Sequence, residues 1–423
     1  MDALDVARLQ FALTTSGHFL FVILTLGLAP LVAFMQTRWV ITGNPVHKRM
    51  TRFWGQLYLI NYALGIVTGI IMEFQFGLNW SGLSRFAGDV FGTPLVVETL
   101  AAFFFEAIFL GVWIFGWDHL PKGVHLASIW LVTIAAYASA YWIIVANGFL
   151  QHPVGYERTA DGSLRLTDLG ALLTNPSALY PLNHIFTASA AVGGFFIAAV
   201  SAWHFLRRTP DVEFFRRSLR LGVVVGYLGV WISIFTGFAQ LGPIVATQPA
   251  KKAALDGDAA ELAQLQAELA TRFGPGSHTP PDWIAVPFQL MFNIGTIWTL
   301  IGLVALILLI RNWIERVRPM LYLLVYGLPV LFVAAISGWL VREVGRQPWV
   351  VYEQLRTSEA VSSLNVWTVT ASMVGFVGAI ATLAVIDYVL LARTARRGPD
   401  AVTLGAAPEP AADDEADALP RLV

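Results

Sequence analysis

The 423-residue chain contains no cysteine. That excludes disulfides, thiolate-held iron–sulfur clusters and covalently attached c-type haem. Charge is scarce as well: 13% of residues are Asp, Glu, Lys or Arg against 56% hydrophobic, and the mean hydropathy is +0.64. So apolar a chain is not a soluble globular domain; its class is the polytopic membrane protein. A net charge of −1 points to no nucleic-acid partner. Residues 1–8 lack a basic leader and the first apolar run ends without a cleavage site, so no signal peptide is expected and the first span stays in the mature protein. No internal repeat is visible.

What the chain has instead is apolar runs. A hydrocarbon core needs roughly 20 residues of helix, and nine stretches qualify: 11–35, 53–72, 94–117, 126–149, 182–206, 221–240, 283–310, 320–341 and 364–391. The fold class is therefore all-α, with about nine transmembrane helices. Arg38, Lys48, Arg49 and Arg52 follow span 1; Arg207, Arg208, Arg216, Arg217 and Arg220 follow span 5; Arg311, Arg316 and Arg318 follow span 7; Arg393, Arg396 and Arg397 follow span 9. The positive-inside rule then predicts the N-terminus outside and the C-terminus in the cytoplasm. Two long outer segments are expected, 150–181 and 241–282, the second carrying an amphipathic surface helix over 258–273 that Gly and Pro residues end. The stretch 398–423, rich in Ala, Pro, Asp and Glu, reads as a disordered cytoplasmic tail.

Against this apolar background, His18, His184, Met291 and Glu343 lie in or at the ends of spans. Coordinating and ionisable side chains at membrane depth are costly and usually functional. With thiolate absent, imidazole, thioether and carboxylate remain, and these suit an iron porphyrin. Read singly, His18 fits an interhelical hydrogen bond as well as a ligand, His184 fits an interfacial residue, and Met291 fits simple packing. Glu98 and Glu106 are eight residues apart in span 3 with no basic neighbour, a pattern for proton carriers. Glu73 fits the interface, and Asp387, near the inner end of span 9, is expected to snorkel to the surface. With span 1 entering from outside, His18 lies about 10–14 Å below its outer end at 1.5 Å per residue. All six of the first-named residues fall in the outer half of the bilayer, as a shared cofactor site requires.

Longer motifs carry a resemblance. They are Arg8-Leu9-Gln10-Phe11-Ala12-Leu13-Thr14 with His18-Phe19-Leu20-Phe21, Met72-Glu73-Phe74-Gln75-Phe76-Gly77 with Asn79-Trp80, Gly116-Trp117-Asp118, Val145-Ala146-Asn147-Gly148 and Gly345-Arg346-Gln347-Pro348-Trp349. In these the chain resembles subunit I of the cytochrome bd-type quinol oxidases, across all nine spans. The resemblance implies a bacterial inner-membrane enzyme that oxidises quinol and reduces O2. It also implies two haem b groups, one low-spin and one high-spin, and one haem d. Residues 1–397 would form the haem-binding oxidase domain, working with a second membrane subunit and with small accessory subunits. His184 and Met291 match the axial ligands of the low-spin haem; His18 and Glu343 match ligands of the other two irons. Glu98, Glu106 and Ser139 match the proton route, Trp339 an aromatic residue near the haem pair, and Arg8 and Arg346 basic residues near propionates. Gln248-Pro249-Ala250-Lys251-Lys252-Ala253-Ala254 follows the quinol-loop pattern, with Lys251 matching its lysine and Asp256 standing where Glu is usual.

Two departures stand out. Gln289 occupies a position that is commonly Arg, and Ala107 one that is a hydroxyl residue in some members. A missing positive charge predicts a lower potential for the low-spin haem unless a neighbour replaces it. Two rivals fit parts of the sequence: a haem-free proton or ion transporter built on Glu98 and Glu106, and a haem paralogue with another electron donor.

Overall fold

Asp2 accepts a hydrogen bond from the Asp5 amide at 2.8 Å, and a helix runs from there to Gly43. Gly43 ends it in the left-handed conformation, φ 65°, which a residue without Cβ adopts freely. In the computed structural model, which describes residues 2–405, this is the first of nine helices long and apolar enough to cross a membrane. Spans 1 to 9 are Ala3–Thr42, Pro45–Asn79, Ser81–Phe115, Lys122–Gln151, Leu169–Leu206, Val212–Thr247, Asp282–Leu308, Arg318–Val344 and Val366–Arg397. The all-α, nine-span architecture predicted from hydropathy is the one observed.

Most helices extend beyond their apolar windows at one or both ends, and side-chain caps start several of them. Asn44, Asn175 and Asn365 accept from the amides of Val46, Ser177 and Thr368 and start the helices that follow them. Span 3 starts at Ser81 instead of near 94. Its first turns carry Arg85 and Asp89, so they fail a hydropathy test while remaining helical apart from a kink at Ala87.

Close backbone approach holds the centre together. A Cβ on Gly27 of span 1 would lie 2.2 Å from the Ser189 carbonyl of span 5, and one on Gly194 would lie 2.3 Å from the Gly226 amide of span 6. Small residues at such contacts are how membrane helices gain packing when lipid supplies no hydrophobic drive.

The basic loops meet at one end of the bundle. Arg49 bonds both Asp211 (3.0 Å) and Asp400 (2.7 Å), Arg216 grips Glu315 with two nitrogens, and Arg220 reaches Asn312. The tail expected to be disordered from Gly398 begins here as ordered chain. Arg52 donates to the Leu404 carbonyl at 2.6 Å, Gln56 accepts from the Thr403 and Leu404 amides, and Val402 and Leu404 are buried. Two apolar side chains suffice to seat this stretch against spans 2 and 3; the remainder of that tail lies outside the described residues.

The opposite end is capped by two short hairpins, β1 (Tyr156–Arg158) with β2 (Leu164–Leu166) and β3 (Trp349–Val351) with β4 (Leu355–Arg356). Between spans 6 and 7 lie a helix at Pro249–Asp256 and the amphipathic helix, observed at Ala259–Phe273 with Asp258 as its cap. His18, His184, Met291 and Glu343 sit toward this end.

Candidate functional site

Two large cavities, both partly open to the surroundings, occupy the half of the bundle away from the basic loops. The first is lined by His184 of span 5, Met291 of span 7, and residues of spans 6 and 8. His184 Nδ1 lies 2.9 Å from the Ser233 carbonyl. A carbonyl only accepts, so the imidazole proton is on Nδ1 and Nε2 keeps its lone pair. Glycines make the room: a Cβ on Gly237 would stand 3.2 Å from the His184 ring, and one on Gly338 would stand 2.7 Å from the Met291 sulfur. Imidazole nitrogen and thioether sulfur on one large apolar cavity are the donor set of a six-coordinate haem iron.

The second cavity is lined by His18, Thr15, Tyr62, Glu73, Glu98, Glu106 and Ser139 among others. Thr68 sets the tautomer of His18. Its hydroxyl donates its one proton to the Gly65 carbonyl (2.7 Å), so at 2.8 Å it accepts from His18 Nδ1–H. Nε2 of His18 is again left with a free lone pair. Ser139 of span 4 donates to Glu98 at 2.5 Å, and Glu106 is buried with one carboxyl oxygen lacking a partner. A π-helical turn over Glu98–Phe103 separates the two glutamates. In an unbroken α-helix, eight residues would rotate them apart by about 80°. The extra residue absorbed by a π turn reduces that rotation and lets both face the cavity.

The cavities adjoin. Phe19 and Trp339 stack at 5.3 Å between ring centroids, and both line both cavities. Trp339 therefore forms part of the wall between the two cavities.

Glu343 lies at this junction, one turn from Trp339 and lining neither cavity itself. Its carboxylate accepts from Asn147 Nδ2 at 2.7 Å and from Arg346 Nη2 at 2.9 Å. Arg342 Nε donates to Asn147 Oδ1 at 2.5 Å, so the amide is clamped between carboxylate and guanidinium. A carboxylate has about four acceptor sites, which leaves Glu343 capacity for a metal. Arg346 Nη1 and Arg8 Nε are buried donors without a protein partner, as groups that receive propionates would be.

Lys251, on the helix at Pro249–Asp256, closes the first cavity from the loop side. Its buried ammonium donates to Gln151 Oε1 (3.3 Å) and to the Arg342 carbonyl (3.2 Å). Burial, and then the nearby charges of Arg342 and Arg346, lower its pKa to about 7. Asp256 is not brought to this site. Five residues along a helix rotate it to the exposed face, where it pairs with Lys252. Gln289 is likewise exposed, while Lys251 and Arg342 line the first cavity.

Asp387 corrects an expectation. It does not snorkel: only 8% of it is exposed, with Oδ1 unpartnered, because the face of span 9 that carries it also carries buried Ile380 and Leu391. Asn147, Thr68, Gly237 and Gly338 were not singled out from sequence. Asn147 lay within a quoted motif, and the others carry no sequence signal that sets them apart.

The sequence matches the family model described as cytochrome bd terminal oxidase subunit I over residues 6–279 and 260–399. It is 39% identical to cytochrome bd ubiquinol oxidase subunit 1 of Bacillus subtilis (strain 168), over 86% of each chain. It is 32% identical to cytochrome bd-II ubiquinol oxidase subunit 1 of Escherichia coli (strain K12), over 95% of this chain and 98% of that one. The fold matches that of bd oxidase from Geobacillus thermodenitrificans with a TM-score of 0.83 and 26% identity, covering 94% of this chain and 99% of the other.

Proposed function

The chain belongs to the cytochrome bd terminal oxidase subunit I family, and on that footing we propose that it is the catalytic subunit of a quinol:oxygen oxidoreductase of the bacterial cytoplasmic membrane. Two quinols give four electrons and four protons, and one O2 takes four of each to become two waters. When bound, two haem b groups and one haem d supply the one-electron carriers and the oxygen site. His184 and Met291 would hold the low-spin haem, and His18 and Glu343 would supply ligands to the other two, with the unpartnered donors of Arg8 and Arg346 available to propionates. The observation that supports this most is the pair of adjoining cavities, with His184 and Met291 on one and His18 and both glutamates on the other, sharing the Phe19–Trp339 wall.

Residues 241–282 form the quinol loop. Lys251 exchanges its proton near pH 7, so its ammonium orients a quinol oxygen and its amine accepts a proton as electrons leave. Ser139 and Glu98 pass protons within the second cavity, and Glu106 receives them from the basic side. The basic end faces the cytoplasm by the positive-inside rule. Protons for water then cross most of the membrane inward-to-outward while quinol protons leave outside. Turnover moves one charge per electron without a pump, about 2.3 kcal/mol per 100 mV. A second membrane subunit completes the inner part of that route, and small accessory subunits bind alongside.

The test is a reduced-minus-oxidised spectrum of the purified complex followed by quinol-driven oxygen uptake. Haem bands with uptake are expected; a colourless protein sinks the reading, and haem bands without quinol-dependent uptake favour another donor. Gly338→Ala gives a finer check. A Cβ 2.7 Å from the Met291 sulfur forces the thioether aside. The low-spin band should weaken or take on high-spin character while the remaining bands persist, and an unchanged spectrum would contradict Met291 as a ligand.

A further inference from the structure

We propose that Tyr62 and Tyr58 form a proton relay that delivers protons to Glu106 from the basic end of the bundle. The inference rests on Glu106 acting as a proton carrier and extends that reading by two residues.

Three buried polar atoms without hydrogen-bond partners define the relay: Glu106 Oε1, Tyr62 Oη and Tyr58 Oη. Buried polar groups are nearly always paired, so three neighbouring exceptions call for a reason. Glu106 is 5% exposed, Tyr62 6% and Tyr58 fully buried. Tyr62 lines the second cavity together with Glu106. The Tyr58 and Tyr62 rings lie 5.7 Å apart, one helical turn from each other on span 2.

The packing register gives the relay its direction. Spans 2 and 3 run antiparallel, with Tyr62 beside Glu106. Seven residues further toward the basic end on each, a Cβ on Gly55 would meet the Trp113 ring at 2.6 Å. The same faces of the two helices therefore stay in contact, and Tyr58 lies between these levels, nearer to Arg49 and Arg52. Beyond it, the Trp113 indole donates to Gln36 Oε1 at 2.7 Å, and Gln36 Nε2 and His125 Nδ1 lie 3.0 Å apart, so polar groups continue toward that end.

A phenol suits this work because its oxygen accepts one hydrogen bond while its proton donates another. Tyr62 passes its proton to the Glu106 carboxylate as it takes one from Tyr58, directly or through a water, and neither ring becomes charged. No net bond is made or broken in the chain, and no oxidant is consumed. In the half of the bundle where carboxyls are few, two hydroxyls shorten the distance that the second subunit has to bridge.

The experiment uses the assembled oxidase with Tyr62→Phe, Tyr58→Phe and Glu106→Gln, measured for haem content, quinol-driven oxygen uptake and its solvent isotope effect. Phenylalanine keeps ring and packing and removes only the hydroxyl. Each Tyr→Phe variant should keep its haem bands and its KM for quinol, lose turnover roughly tenfold, and show a larger isotope effect as proton delivery becomes limiting. If Glu106→Gln is inhibited and both phenylalanine variants run normally, the relay is wrong and the role of Glu106 stands. A silent Glu106→Gln overturns both. Slowing at Tyr62→Phe with Tyr58→Phe silent removes Tyr58 from the path, and a loss of uptake that tracks lost haem overturns the relay.

Discussion

His184→Ala removes the low-spin haem signal and leaves the other two haems in place. The imidazole reaches only the first cavity, its Nδ1 held by the Ser233 carbonyl and its ring backed by Gly237. His18 and Thr68 lie beyond the Phe19–Trp339 wall, and no hydrogen bond joins the two imidazoles among the described residues. Removing one ligand therefore empties one pocket. Alanine also leaves a hole where a ring stood, which lowers the affinity of the cavity for any axial substitute. Quinol-driven uptake should fall to background if, as proposed, His184 holds the haem that quinol reduces. The check is the dithionite-reduced minus oxidised spectrum at equal protein. Joint loss of all three haem signals would mean that the pockets do not form independently. Met291→Ala should be milder: a thioether is the weaker ligand, so the haem stays bound through His184 and turns high-spin.

The elements easiest to read from sequence were those with a strong one-dimensional signature. Nine apolar windows gave nine helices among the described residues, and rarity at membrane depth singled out His18, Glu98 and Glu106. Helix ends were illegible wherever a helix began in polar sequence, as span 3 does at Ser81. The π turn at Glu98–Phe103 was hidden as well, since residue identity does not reveal one extra residue in a turn. So were the groups that aim the ligands. Thr68 matters because its own proton is committed to Gly65, and Asn147 because an arginine and a glutamate share it. The contacts they make, Thr68 with His18 and Asn147 with Glu343, each join two helices. Asp387 and Asp256 failed in opposite directions for one reason: the face of a helix that is buried depends on its neighbours, so the intramembrane carboxyl turned inward and the loop carboxyl turned out.

Glu343 should prove the least replaceable side chain of the second group, for a reason apart from metal binding. Its carboxylate is buried among Arg342, Arg346 and the readily deprotonated Lys251, and among the described residues it is the anion that faces them. Asn147 and Arg346 occupy both of its oxygens. Glu343→Ala thus deletes a ligand and also leaves buried positive charge uncompensated, an effect of about 3–5 kcal/mol for a broken buried pair. The assembled complex should inactivate at a clearly lower temperature, with its haem lost in the same step. Glu343→Asp separates the two contributions. It keeps the charge among the arginines and draws the carboxylate back by one methylene. The fold should hold near its normal inactivation temperature while one haem band shifts or disappears. Glu343→Gln should resemble alanine more than aspartate, because its amide can serve Asn147 but presents a donor to Arg346. An alanine variant as heat-stable as the parent would show that the cations find other partners. An aspartate variant with an unaltered spectrum would remove Glu343 from the ligands and leave it a structural counter-charge.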